Sequence, residues 1–426
     1  MSFAYRFVWP VAASCWLTSV VLSGQALPAH PSLLRNHPAI NYAGPSQDPV
    51  ALLAERVRQG TTSLVFDEKG GGYLRAVLAA LEIPVESQLL VFSKTSFQVS
   101  RISPRNPRSL FFNDNTAVGW IRGSDLLELV SQDPTQGARF YTLRQTAEGP
   151  PQFERNDGCV PCHAFEATQY VPGMFIGSVF PGPDGTPQYG PTFITDHRSF
   201  FEWRWGGWFV TGQHQSPRHL GNAVATDSRD LYGMVTSESL RVDSLDGRVD
   251  LTGYQSRHSD IVALLVLEHQ ARMLNLITRV GWEARIGAEV GRPLAVAVEE
   301  LVDYLLFVDE APLPGPVVGP TMFAARFAER GLKDRDGRSL RDLDLQTRLF
   351  KYPCSYLIDS APFAAMPAAA KEAVYARLWA VLSGQDPAPR YARLTPSDRA
   401  AVLAILRDTH PALPGYFRSA VAPGVN

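Results

Sequence analysis

Leu110-Phe111-Phe112-Asn113-Asp114-Asn115-Thr116-Ala117-Val118-Gly119-Trp120-Ile121 reads as two short strands joined by a turn. Aromatic and branched residues flank an Asn-Asp-Asn cluster, and Asn and Asp favour tight turns because their side chains bond the nearby backbone. The pattern repeats on both sides. Leu89-Leu90-Val91-Phe92 lies upstream, and Leu126 to Val130 and Arg139 to Leu143 lie downstream, punctuated by Asp133-Pro134 and Gln136-Gly137. Residues 85–145 are therefore expected to form a small antiparallel sheet.

Working outward, Val50 to Val57 and Tyr73 to Leu81 have helical spacing, and residues 27–48 read as an N-terminal arm. From about residue 256 the apolar period becomes helical. Ser259-Asp260 can cap a helix over Ile261 to Val280, and Pro293 to Phe307 is another. After the break at Pro312-Leu313-Pro314-Gly315-Pro316, helices are expected over Met322 to Glu329, Leu343 to Phe350, Ala368 to Leu382 and Pro396 to Arg407. Gly384 suits the position after a helix end, and Thr395-Pro396-Ser397-Asp398 supplies a cap, a first-turn proline and an acid at N3. The expected fold class is α+β: a small antiparallel β region and an irregular segment, then a helical C-terminal region. The expected organisation is 1–26, 27–145, 146–255 and 256–426. No internal repeat is present.

The 426 residues suffice for two or three domains, and 45% hydrophobic with 19% charged content suits a packed core. A net charge of −2 argues against a nucleic-acid partner. Arg6 followed by the mostly apolar Phe7 to Gly24, with Gly24-Gln25-Ala26 after it, reads as an export signal. The competing reading is an uncleaved membrane anchor, weakened by Pro10, Ser14, Thr18 and Ser19. Export to the periplasm, with no span left after signal removal, is the expectation.

The segment 146–255 is rich in Gly, Pro and aromatic residues and holds Cys159-Val160-Pro161-Cys162-His163. C-x-x-C-H is the pattern of c-type haem attachment: two thiols form thioethers and the adjacent imidazole becomes an axial iron ligand. A redox dithiol is the first alternative, but polar, turn-forming residues 150–158 precede the cysteines where a buried strand would be expected. Zinc is the second, but a further Cys/His pair at short spacing is missing; only Cys15 and Cys354 remain, each isolated. Cys159 and Cys162 are thus the expected anchors of one covalent haem c, with His163 the proximal ligand.

For the sixth position, Met174 in Val171-Pro172-Gly173-Met174 is a candidate and otherwise an ordinary core residue. His269, on an amphipathic stretch, and His214 and His219, in a loop, are further candidates as ligand or distal acid/base. Arg101, Arg105 and Arg108 could hold haem propionates or line a solvated loop. Trp203, Trp205 and Trp208 could edge the haem or pack a core. Cys354 reads as a buried inert thiol. Gly70-Gly71-Gly72 lacks the P-loop lysine, and Asp334-Arg335-Asp336-Gly337 lacks an acid needed for calcium.

The five-residue motif resembles the c-type cytochromes, and residues Ile102 to Asp114, Arg204 to Gly221 and Ser259 to Gln270 are similar to exported bacterial proteins with a cytochrome c domain. The resemblance implies haem attached outside the cytoplasmic membrane and single-electron transfer with a redox partner protein. A haem enzyme of peroxidase type with an open sixth position, and a haem-based sensor or scaffold, are the other readings. The chain is several times longer than a cytochrome c domain, and strands rather than helices precede the motif.

Overall fold

The computed structural model describes residues 31–188, 192–216, 218–225 and 242–419. The expected export segment, 1–26, lies outside them. The protein is α+β. Strands β1 (Leu89–Val91), β2 (Arg108–Phe112), β3 (Thr116–Trp120), β4 (Leu126–Asp133), β5 (Gly137–Arg144), β6 (Phe153–Arg155) and β9 (Trp208–Phe209) form one sheet in the order β6-β5-β4-β3-β2-β1-β9. Every neighbouring pair is antiparallel. β7 (Ile176–Ser178) and β8 (Phe193–Thr195) form a separate ribbon. The β2–β3 turn forms as its composition predicts: Asn113 Oδ1 accepts the N–H groups of Asn115 and Thr116 at 3.1 and 3.0 Å. The irregular segment 146–255 contributes β6 and β9 to the sheet, so the chain passes from the β region into that segment without a break in the hydrogen-bond ladder.

Alternation along the strands sends side chains to two buried faces. Phe111, Val118, Leu127, Leu129 and Leu143 pack beneath helices α1 (Pro49–Arg58) and α2 (Leu74–Ala80). Leu89, Phe112 and Ala117 pack on the other face against α4 (Ile261–Ile286). Before it, α3 is the single turn Val160–His163. The remaining helices are α5 (Leu294–Leu305), α6 (Phe323–Glu329), α7 (Ala361–Ala364), α8 (Ala368–Leu382) and α9 (Pro396–Thr409). Of these, α5 to α8 lie against α4, and α9 packs on α8.

Helix α4 begins where Asp260 Oδ1 accepts from Val262 and Ala263 at 2.7 and 3.2 Å. It runs past the expected end at Val280, carried by the Arg279–Glu283 pair at 2.8 Å, to Gly287 with φ 70°. By length and composition it is apolar enough to cross a membrane, but 94% of that stretch is buried inside the protein, so it serves as the core helix.

The helix expected over Leu343 to Phe350 does not form. Leu343 and Phe350 bridge as an antiparallel pair. Between them Asp344 accepts from the Thr347 N–H, the Thr347 hydroxyl and the Arg348 N–H, and Leu345 sits at φ 58°. The aspartate's local bonds outcompete helical ones. Elsewhere the helix signals hold: Thr395 and Asp398 close a reciprocal capping box on α9, and Gly384 follows α8 at φ 81°.

Candidate functional site

Cys159, Cys162 and His163 sit on a turn that leaves the edge strand of the sheet. After β6, the Asn156 N–H bonds the Phe140 carbonyl at 2.8 Å, and the Asn156 side chain accepts from Gly158 at 3.1 Å. A tight turn then runs into α3. Val160, 2% exposed, anchors it in a cluster with Ile40, Tyr42, Ala138, Phe140 and Trp282. Cys162 is exposed and Cys159 half-buried, and neither is in a disulfide.

His163 is clamped twice by one residue. Its carbonyl accepts the Gly173 N–H at 2.9 Å, and its Nδ1 bonds the Gly173 carbonyl at 2.9 Å. A carbonyl only accepts, so Nδ1 carries the hydrogen. Burial, the largest influence, holds the imidazole below its ordinary value, so the ring is neutral near pH 7 and Nε2 keeps its lone pair. Among the described residues Nε2 has no hydrogen bond, and it is not sealed from solvent. Phe140 and Phe175 flank the ring at 5.1 and 5.3 Å between centroids.

The clamp is itself held by α4. Asn275 Nδ2 donates to the Met174 carbonyl at 2.8 Å. A Cβ on Gly173 would come 1.8 Å from Asn275 Oδ1, so only glycine fits between this asparagine and His163. Phe140, Gly173 and Asn275 were not singled out from the sequence. The sequence signal for the clamp is Pro172-Gly173, with Gly173 ten residues past the histidine.

Arg108, Glu128 and Asp157 bring charge to the motif. Arg108 and Glu128, paired at 3.0 Å, act on His163 in opposite senses. Burial first, then Glu128, push the Cys159 thiol up to about 11. Arg108 Nε is buried without a partner among the described residues.

The other sequence candidates lie elsewhere. Met174 is the residue after the carbonyl that holds Nδ1. Its side chain packs against the core and lines a small void with Val130, Ala138 and Leu274. Arg101 bonds the Gly123 carbonyl and Asp125 instead of approaching the motif, and Arg105 is exposed. Trp205 is fully buried beside Phe201 and His219, Trp203 packs on Phe193, and Trp208 Nε1 donates to the Gly177 carbonyl at 2.8 Å. Cys354 is buried, its thiol pushed far up by desolvation.

The histidines expected as sixth ligand or distal acid/base, His214, His219 and His269, each meet another histidine. His214 and His219 meet through Nε2 atoms at 3.1 Å. His197 and His269 meet through Nδ1 atoms at 2.8 Å, and His269 Nε2 reaches Ser355 Oγ at 2.7 Å. Tyr304 stacks on His197 at 4.1 Å. Next to them Arg204 and Glu268 form a buried ion pair at 2.9 Å. The ring neighbours of His163 among the described residues are Phe140 and Phe175, so none of these histidines is brought to it.

Chemically, the motif offers two thiols and one oriented imidazole with a free nitrogen. That donor set fits a haem, whose iron takes four further bonds from the porphyrin. The described residues contain no group of three or more His, Cys, Asp or Glu positioned for a bare metal ion. Comparison with protein-family models, with curated proteins and with solved structures returned no match.

Proposed function

We propose that the protein carries one covalent haem c on Cys159, Cys162 and His163 and passes single electrons between partner proteins outside the cytoplasmic membrane. The observation that carries this reading is the state of His163. Its Nδ1 is committed to the Gly173 carbonyl, its Nε2 is free, and two thiols outside any disulfide share its turn. Metal-ligating histidines characteristically donate their second ring nitrogen in this way, which fixes the tautomer and raises ligand basicity. Haem held there would supply a one-electron couple. The chain's own residues do the rest. Gly173, braced by Asn275, sets the ring's orientation. Phe140 and Phe175 keep its flanks apolar. Arg108, whose charge acts on His163, is the candidate arginine for a haem carboxylate beside the motif.

One observation favours a second reading. The Met174 side chain packs against the core, and among the described residues nothing bonds Nε2. An open sixth position would suit a haem oxidoreductase acting on peroxide, or a haem sensor.

The test is expression of the full chain with haem-attachment machinery in an exporting host, followed by a denaturing gel stained for haem. Wild type is expected to stain, and Cys159→Ala with Cys162→Ala to lose the band. A low-spin spectrum unchanged by carbon monoxide or cyanide supports electron transfer; a ligand-sensitive high-spin spectrum supports the second reading. Wild-type protein free of covalent haem overturns both.

A further inference from the structure

Away from the motif, a cleft of about 430 Å³ opens between the end of α5, the 343–353 loop and residues 390–394. That volume is within the range that holds small organic ligands. Its inner wall is apolar: Phe307 and Leu394 are 5% and 7% exposed. Its rim is cationic. Arg348 is paired with Asp398 at 2.7 Å, and Arg390 with Glu299 and Asp303. Lys351 and Arg393 also line it, and neither has an ion pair among the described residues. Among the described residues the Arg393 guanidinium bonds the Glu310 carbonyl.

Glu310 forms the floor. It is 6% exposed, and its Oε1 accepts the Leu349 N–H at 3.0 Å. Its second oxygen has no partner among the described residues and is not sealed, so it faces the cleft. A nearly buried carboxyl with one unused oxygen, two lining cations without an ion pair and an apolar wall together describe a receptor for a particular shape of anion.

We propose that this cleft binds a small monocarboxylate with a short apolar body, its carboxylate held by Lys351 and Arg393 and by a hydrogen bond donated from the Glu310 carboxyl. Charge-assisted bonds from two cations supply the attraction. The apolar wall takes the body and disfavours a compact inorganic anion. Glu310 can donate only when protonated. Burial, opposed by the Leu349 N–H and then by Arg393, Arg348 and Arg204, raises it to about 7. Lys351, Arg390 and Asp344 are the other charged groups facing the cleft. Binding therefore takes up a proton, and affinity falls as pH rises through neutrality.

Benzoate is the probe, titrated calorimetrically into the full chain, with inorganic phosphate and benzyl alcohol as controls. Benzoate is expected to bind about tenfold more tightly at pH 6 than at pH 8, the ratio set by a carboxyl near 7. Lys351→Gln with Arg393→Gln, both exposed positions, should weaken it by about tenfold or more. Glu310→Gln, which keeps a donor without titrating, should retain binding and lose the pH dependence. Circular dichroism confirms that each variant is folded. Phosphate or benzyl alcohol binding as well as benzoate overturns the proposal. So does benzoate affinity that is indifferent to the double substitution, or a pH dependence that survives in Glu310→Gln.

Discussion

Arg204→Met tests the polar interior most directly. The Arg204 and Glu268 side chains are 3% and 0% exposed, with Nη1 and Oε2 at 2.9 Å. Arg204 also donates to the Ser199 carbonyl at 2.9 and 2.7 Å and to the His197 carbonyl at 3.1 Å. Methionine fills similar volume but leaves a buried carboxylate uncompensated, which costs about 3–5 kcal/mol. The carboxylate escapes by taking up a proton, since burial already raises it and Arg204 is the main opposing influence. A carboxyl raised in the folded state stabilises below its unfolded value near 4.3 and loses that contribution as pH rises toward the folded one. The deficit of Arg204→Met against wild type should therefore grow with pH, by at most about 1.4 kcal/mol per unit. Urea unfolding followed by tryptophan fluorescence reads this, because Trp205 is fully buried beside the pair. Adding Glu268→Gln should recover most of the loss at pH 8 and little at pH 5. An equal deficit at both pH values, or a double variant no better than the single one at pH 8, would refute the reasoning.

The buried imidazoles give the opposite sign. Burial holds His197 well below its ordinary value and His269 at about 3, so unfolding below pH 6.5 takes up protons the folded state refuses. Their contribution is complete above pH 6.5 and is lost as pH falls, by about 4 kcal/mol for the two together at pH 5. A His197→Phe, His269→Gln variant should flatten that limb of the profile; an unchanged slope would count against it. Gly173→Ala must displace Asn275 and should cost about 1–3 kcal/mol in denaturant unfolding. Gly158→Ala, whose nearest neighbour is Asn156 Oδ1 at 3.0 Å, should cost less; the reverse order would refute the clamp. In haem-free Cys15→Ser protein, a thiol reagent should label exposed Cys162 first, then Cys159 with its thiol raised to about 11, and Cys354 only after unfolding.

What was legible in the sequence was local. Asn113 caps its own turn, Asp260 and Thr395 cap their own helices, and the bonds that make them do so span two or three residues. The miss at Leu343 to Phe350 came from the same source: its apolar spacing imitates a helix, while Asp344 satisfies the backbone a few residues on and Leu345 turns left-handed. Apolar period reports which side chains are buried; it does not report what the backbone between them is doing. The candidate site divides along this line. Cys159, Cys162 and His163 are a contiguous word, but the state of the imidazole is decided at a distance. His163 is oriented by a carbonyl ten residues away, and that segment is braced by an asparagine on a helix more than one hundred residues on, at 101 residues from Met174. The same holds for His197 and His269, whose 2.8 Å contact joins positions 72 apart. Helix α4 contributes to both: Asn275 braces the haem motif's clamp, and Glu268 and His269 build the buried polar centre. Because the residues between them lie on one rigid, buried helix, damage to the Arg204–Glu268 pair that shifts α4 should also loosen Gly173 and free the His163 ring. Nitrogen chemical shifts of His163 in Arg204→Met would register that coupling as a loss of the pure Nδ1–H tautomer, and unchanged shifts would make the two centres independent.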